Sequence, residues 1–191
     1  GGLLVGAALT FCDPGAPKAG RILIDESHGP WESTRTPMAT EDLSPLSSYN
    51  YYWLARLLSL RYTATTHTAG ALSAAALSGA DVLVIKVPTK PLQQSEVESI
   101  VGFVRGGGGL LLVGDHTNVF GTSSCLNPLA QRLGMEFRAD ATYPANGDGL
   151  PLWRRRLPSR HPVAAWLPES FLIHTSSTLR APGARSVMTL H

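Results

Sequence analysis

Short strand-like runs that barely alternate in polarity constrain this chain most: "RILID" (21–25), the β-branched "RYTATTH" (61–67), "DVLVIKV" (81–87) and "LLLVG" (110–114). A strand covered on one face alternates apolar with polar, whereas one covered on both faces need not. Segments of helical spacing separate these runs, and the connections are too long for hairpins. Together they predict an α/β fold with a parallel sheet covered on both faces.

The helices are read from the same pattern. "SSYNYYWLARLLSL" places apolar residues at 51, 54, 57, 58 and 60, and Ser47 or Ser48 is expected to cap it. "ALSAAALSGA" predicts a short helix ended by a left-handed Gly79. Pro88 stops the third strand. Ser95 and Glu98 stand at capping-box spacing before a helix whose buried face is Val97, Ile100, Val101 and Val104. Glycines 106 to 109 end that helix. A further helix is expected around 126–133, and strands at "MEFRA" and "SFLIHT" are expected to continue the sheet. "SVMTLH" reads as a strand cut off mid-element, so a piece of a longer chain is expected.

With 191 residues, 43% hydrophobic and 16% charged, the chain can bury one sizeable core. A net charge of +2 argues against nucleic acid as a partner. The one dense basic run, Arg154-Arg155-Arg156 with Arg160 nearby, reads as a solvated loop. Cys12 and Cys125 give neither a disulfide framework nor metal-ligand spacing. Residues 1–12 are apolar and uncharged, shorter than the ~20 residues of a membrane span. They read as the tail of a membrane helix or signal, with 13–20 a linker and 21–191 the folded domain. Membrane attachment through this N-terminal flank is therefore expected; the side of the membrane is left open.

In an open parallel sheet, ligands bind beyond the carboxyl ends of the strands, where strand order reverses. That rule gathers "DESHGPWE", "VPTKP", "GDHTN" and "HTSST" on one edge. Asp25, Glu26, His28, Asp115, His116 and Asn118 are the ligand-binding candidates, with Asn127 behind them. Of these, Asp25, His28, Asp115 and His116 mix acceptors with groups that titrate near neutrality. They could hold a divalent metal, or supply a general base and its orienting partner. Helix caps and turns also use such residues. Cys125 reads as a small buried side chain, and Ser123 and Ser124 as helix-start residues. Glycines 106–109 precede a strand rather than open a helix, so they are no phosphate loop. The absence of such a loop after the first strand also disfavours a flavoprotein. Trp31, Tyr51, Tyr52 and Trp53 read as core-packing aromatics before a carbohydrate surface, and His67, His161 and His174 as strand-end or loop residues.

"RILIDESHG", "YNYYWLARLL", "ADVLVIKVPTKP", "EVESIVGFVRGGGGLLLVGDHTNVFG" and "LNPLAQRLGMEF" together resemble uncharacterised bacterial domains of the class I glutamine amidotransferase-like superfamily, akin to gliding-motility and intraflagellar-transport (GIFT) domains. The likeness covers about 21–140. It implies a flavodoxin-like three-layer sandwich with a mainly parallel central sheet, often in proteins with membrane helices. Active members carry a cysteine in an elbow after the strand equivalent to "LLLVG"; Asp115 and His116 stand here instead, which argues against glutaminase activity. Two functions remain expected: a non-catalytic domain binding a small-molecule or protein ligand in a membrane-associated protein, or a hydrolase, with or without metal assistance.

Overall fold

A computed structural model describes residues 19–30, 32–37, 50–143, 152–155, 169–172, 175–184 and 188–190. The chain divides into two compact units, one ending at Val113 and the other beginning at Gly114.

The first unit is built on strands β1 (Arg21–Asp25), β2 (Thr63–His67), β3 (Val82–Lys86) and β4 (Gly109–Val113). All pairings are parallel and the order is β2-β1-β3-β4. Helices α1 (Tyr52–Ser59), α2 (Ala74–Leu77) and α3 (Gln94–Arg105) make the crossovers. Ile22, Ile24 and Val84 form a core with Ala55 and Leu58 of α1 against one face. Strand alternation turns Leu23, Leu83 and Ile85 to the opposite face. There Leu23 lines a groove with Ala76 of α2, and α2 packs on α3, whose Val97, Ile100 and Val101 are buried. The result is the expected three-layer α/β arrangement.

Several local expectations are corrected. Helix α1 starts at Tyr52 with Tyr51 as N-cap, and the Asn50 side chain accepts the Tyr52 N–H at 3.2 Å; Ser47 and Ser48 lie outside the described residues. Leu57 is exposed, because the buried face of α1 runs through Ala55 and Leu58. Helix α2 is only four residues long, is capped by Ser73, and ends at an ordinary right-handed Ser78 rather than a left-handed Gly79. In α3 the reciprocal cap is Gln93 with Glu96, two residues before the Ser95/Glu98 pair that the spacing suggested. Strand β4 lies at the sheet edge with none of its residues buried, although its sequence suits a strand covered on both faces.

Among the described residues, the second unit contains the 3-10 segment His116–Gly121, helix α4 (Thr122–Arg132) and the strands β5 (Glu136–Phe137), β6 (Leu152–Arg155), β7 (Ser170–Leu172), β8 (Leu179–Arg180) and β9 (Met188–Leu190). The expectation that "MEFRA" and "SFLIHT" continue the parallel sheet is overturned. Strand β5 pairs antiparallel with β8, and β7, β6 and β9 form a separate antiparallel sheet. Arg154 and Arg155 belong to β6 rather than to a loop. Helix α4 starts four residues earlier than its apolar pattern, which places Ser123 and Ser124 in its first turn, as expected. No helix among the described residues is long and apolar enough to cross a membrane. Residues 1–12, Trp31, Arg156, Arg160, His161 and His174 lie outside the described residues.

Candidate functional site

Strand order reverses between β1 and β3, so the loops following these two strands part there. Both loops are polar, and several charged side chains at this edge turn inward. Asp25, Glu26, His28, Lys86 and Glu96 are all buried, Lys86 being 1% exposed.

His28 is the hub. Its Nδ1 lies 2.9 Å from Asp25 Oδ2 and its Nε2 lies 3.3 Å from Glu96 Oε2. Two carboxylate acceptors on one ring suit the doubly protonated imidazolium. Burial pushes the His28 pKa down, but the bond and charge of Asp25, helped by Glu96, carry it above its ordinary value. Burial likewise raises Asp25, and the bonds from His28 and Ser27 more than reverse this, leaving its carboxyl below the usual range. The Ser27 hydroxyl donates to Asp25 Oδ1 at 2.6 Å, so its proton points at a carboxylate rather than at a base.

Glu96 has three donors: the N–H of Leu72 and the N–H of Gln93, each at 2.8 Å, and the His28 ring. These outweigh burial and lower its pKa. Glu96 therefore caps α3 and ties its start to the β1 and β2 loops.

Glu26 faces a second set. Its Oε1 accepts the N–H and the hydroxyl of Thr34, and its Oε2 accepts Arg35 Nε at 3.1 Å. Burial raises its pKa; Thr34 and Arg35 bring it below the ordinary value. Lys86 ends β3, donates from Nζ to the Gly29 carbonyl at 3.0 Å, and sits 5.3 Å from the centre of the Tyr51 ring. Burial lowers its pKa, opposed by the charges of Glu26, Glu32 and Asp25. Gly29 is required here: a Cβ would lie 2.9 Å from the Val87 carbonyl oxygen and 3.0 Å from that of Lys86. The His28 carbonyl accepts the N–H groups of Thr89 and Lys90 at 2.8 and 3.0 Å, which joins the β1 and β3 loops directly.

The remaining candidates lie in the second unit and bond locally. Asp115 accepts the His116 N–H at 2.7 Å. His116 Nδ1 is 2.8 Å from Thr117 Oγ1, and its Nε2 is 3.8 Å from Asp115 Oδ1. Asn118 accepts the Ser124 N–H and donates to the Ser124 hydroxyl, capping α4. Asn127 exchanges two bonds with the Phe137 backbone, fixing β5 to α4. In the loop after β4, Thr117, Asn118 and Phe120 are left-handed with φ of 48°, 55° and 52°. Cys125 is buried, and burial raises its thiol pKa, so it is a poor nucleophile.

Among the described residues, no group of three or more His, Cys, Asp or Glu side chains is placed to hold a metal ion. Lys86 and Glu96 escaped the sequence reading. Lys86 was legible as the one charge at the end of an otherwise apolar strand, and Glu96 as the acid of a Gln-x-x-Glu cap.

The fold class is thus an α/β domain whose strand-end charges are internally bonded. No protein-family model matches the chain, and no curated protein matches it in sequence. Among solved structures it is similar to the N-terminal domain of mmIFT52, an intraflagellar-transport protein. The TM-score is 0.65 at 14% identity, over 88% of this chain and 72% of that one. At this identity the likeness concerns the fold.

Proposed function

We propose that this chain is a non-catalytic ligand-binding or interaction domain, with the carboxyl-terminal edge of the parallel sheet as its binding edge. The observation that carries the proposal is the closure of the His28 network: both ring nitrogens face carboxylates, and the adjacent Ser27 hydroxyl donates to Asp25. A general base needs a free nitrogen within reach of a substrate proton. The mmIFT52 domain, named as part of an intraflagellar-transport protein, is consistent with an interaction role on this fold. The proposal includes membership of the class I glutamine amidotransferase-like superfamily in a form carrying Asp115 and His116 at the elbow position, and membrane attachment through the apolar residues 1–12.

The test is turnover by the purified chain. Ammonia release from glutamine and hydrolysis of activated esters and phosphoesters are measured with and without Mg²⁺, Mn²⁺ or Zn²⁺. The expected result is no turnover above that of a His28→Gln/Asp115→Ala double variant. Turnover that this variant loses would overturn the proposal in favour of the hydrolase.

A further inference from the structure

Helix α3 buries Val97, Ile100 and Val101 on one side and leaves the other side open. Ser95, Glu98, Gly102 and Arg105 recur there at the three- and four-residue steps that share one side of a helix, and all four are exposed. Beside them an apolar groove of about 470 Å³ runs between α2 and α3, walled by Ala74, Leu77, Ser99 and Phe103 among others.

Gly102 is out of place on this face. A glycine inside a helix costs stability relative to alanine. Nothing in its own chain needs the space: among the described residues, a Cβ at Gly102 would meet no atom within 4 Å outside its own stretch of helix. What such a position permits on an open face is the close approach of another backbone.

The charges around Gly102 complement one another across two copies. Helix α2 has no charged residue, and of those on α3 Glu96 is buried, which leaves Glu98 and Arg105. These two stand two turns apart, about 10.5 Å along the axis, too far to pair with each other. Neither makes an ion pair among the described residues, and Glu98 accepts only the Gln94 side chain, at 2.9 Å. Their midpoint falls beside Gly102. A two-fold axis at that point runs two α3 helices antiparallel, brings the two glycines together, and sets Glu98 of each copy opposite Arg105 of the other. A different protein would need its own acid and base at matching spacing; a second copy already has them.

We infer that this face of α3 is a self-association surface, on which a second copy of this chain packs its own α3 antiparallel across Gly102 and covers the groove beside α2. The surface is separate from the binding edge proposed above and does not depend on it. Helix α3 has 12 residues, about 18 Å of helix, so the interface is small and the dimer weak and reversible.

The test is sedimentation of the full chain from about 10 µM to about 1 mM, where a reversible monomer–dimer equilibrium is expected with a Kd on the order of 100 µM or tighter. Gly102→Gln should abolish the dimer while the monomer unfolds at the same or a higher temperature, because the fold has room for the side chain and gains helix propensity. Glu98→Lys and Arg105→Glu should each weaken association about ten-fold or more by facing like charges. The double variant Glu98→Lys/Arg105→Glu should restore it. A chain that stays monomeric throughout overturns the inference and leaves the face to a different partner. Association that Gly102→Gln leaves intact, or a double variant no stronger than the single ones, overturns it as well. Failure here leaves the turnover test untouched, whereas turnover in that assay defeats the non-catalytic proposal whether or not the chain pairs through α3.

Discussion

The residues after β1 and the residues after β4 use the same side chains in different ways. Asp25 and His28 are buried, and their network reaches Glu96, 68 residues along the chain from His28. Asp115 and His116 are not buried and bond within their own turn. The first group braces three segments of the fold; the second shapes one loop whose backbone is left-handed at Thr117, Asn118 and Phe120. An acid beside a histidine thus says little until burial and the reach of its partners are known.

The largest effect that would sharpen this contrast is expected at Lys86. Lys86→Met removes the buried cation that faces Glu26, Glu32 and Asp25, and should cost about 3 kcal/mol in urea unfolding, as loss of one partner from a buried charge set does. A cost near zero would mean that those carboxylates do not depend on it.

Next come matched substitutions of the two acids. Asp25→Asn should destabilise by about 2 kcal/mol, because it leaves the His28 imidazolium with one carboxylate. Asp115→Asn, in a half-exposed turn, should stay within about 0.5 kcal/mol. Equal costs would break the comparison.

The pH dependence separates the regions again. A histidine whose folded pKa is raised contributes stability that is fully present below its ordinary value of about 6.5 and is lost as pH rises through the folded value. The depressed carboxyls of Asp25, Glu26 and Glu96 contribute above their ordinary values and lose that contribution as pH falls through the folded ones. Stability should therefore decline as pH rises above about 6.5, and chemical unfolding of His28→Gln should show a flatter limb there. An unchanged slope in that variant would detach His28 from the effect.

The smallest effect concerns the β4 loop. Thr117 is β-branched at φ 48°, so Thr117→Gly should relieve strain and stabilise by about 0.5 kcal/mol in thermal unfolding. Destabilisation would mean that its hydroxyl contact with His116 outweighs the backbone cost.

The sequence shows most clearly what repeats. The β1 and β3 runs and the spacing of Val97, Ile100 and Val101 announce a parallel sheet with its covering helices. Strands β5 and β8 have two residues each, too few for any period, so their antiparallel pairing was not legible. Asp25 and His28 could be named because they follow an apolar run, but their third partner could not. Glu96 joins them only because β3 pairs beside β1, so that α3, starting just after β3, opens next to the ends of β1 and β2, a long-range consequence that no local spacing encodes.

The claim that the β1 and β3 strand ends form a closed brace is tested most directly by ¹⁵N NMR titration of the His28 ring. The expected result is a ring protonated on both nitrogens with a pKa above the usual value of about 6.5. A pKa below that value, with Nε2 unprotonated near neutrality, would contradict the account and return His28 to the candidates for a general base.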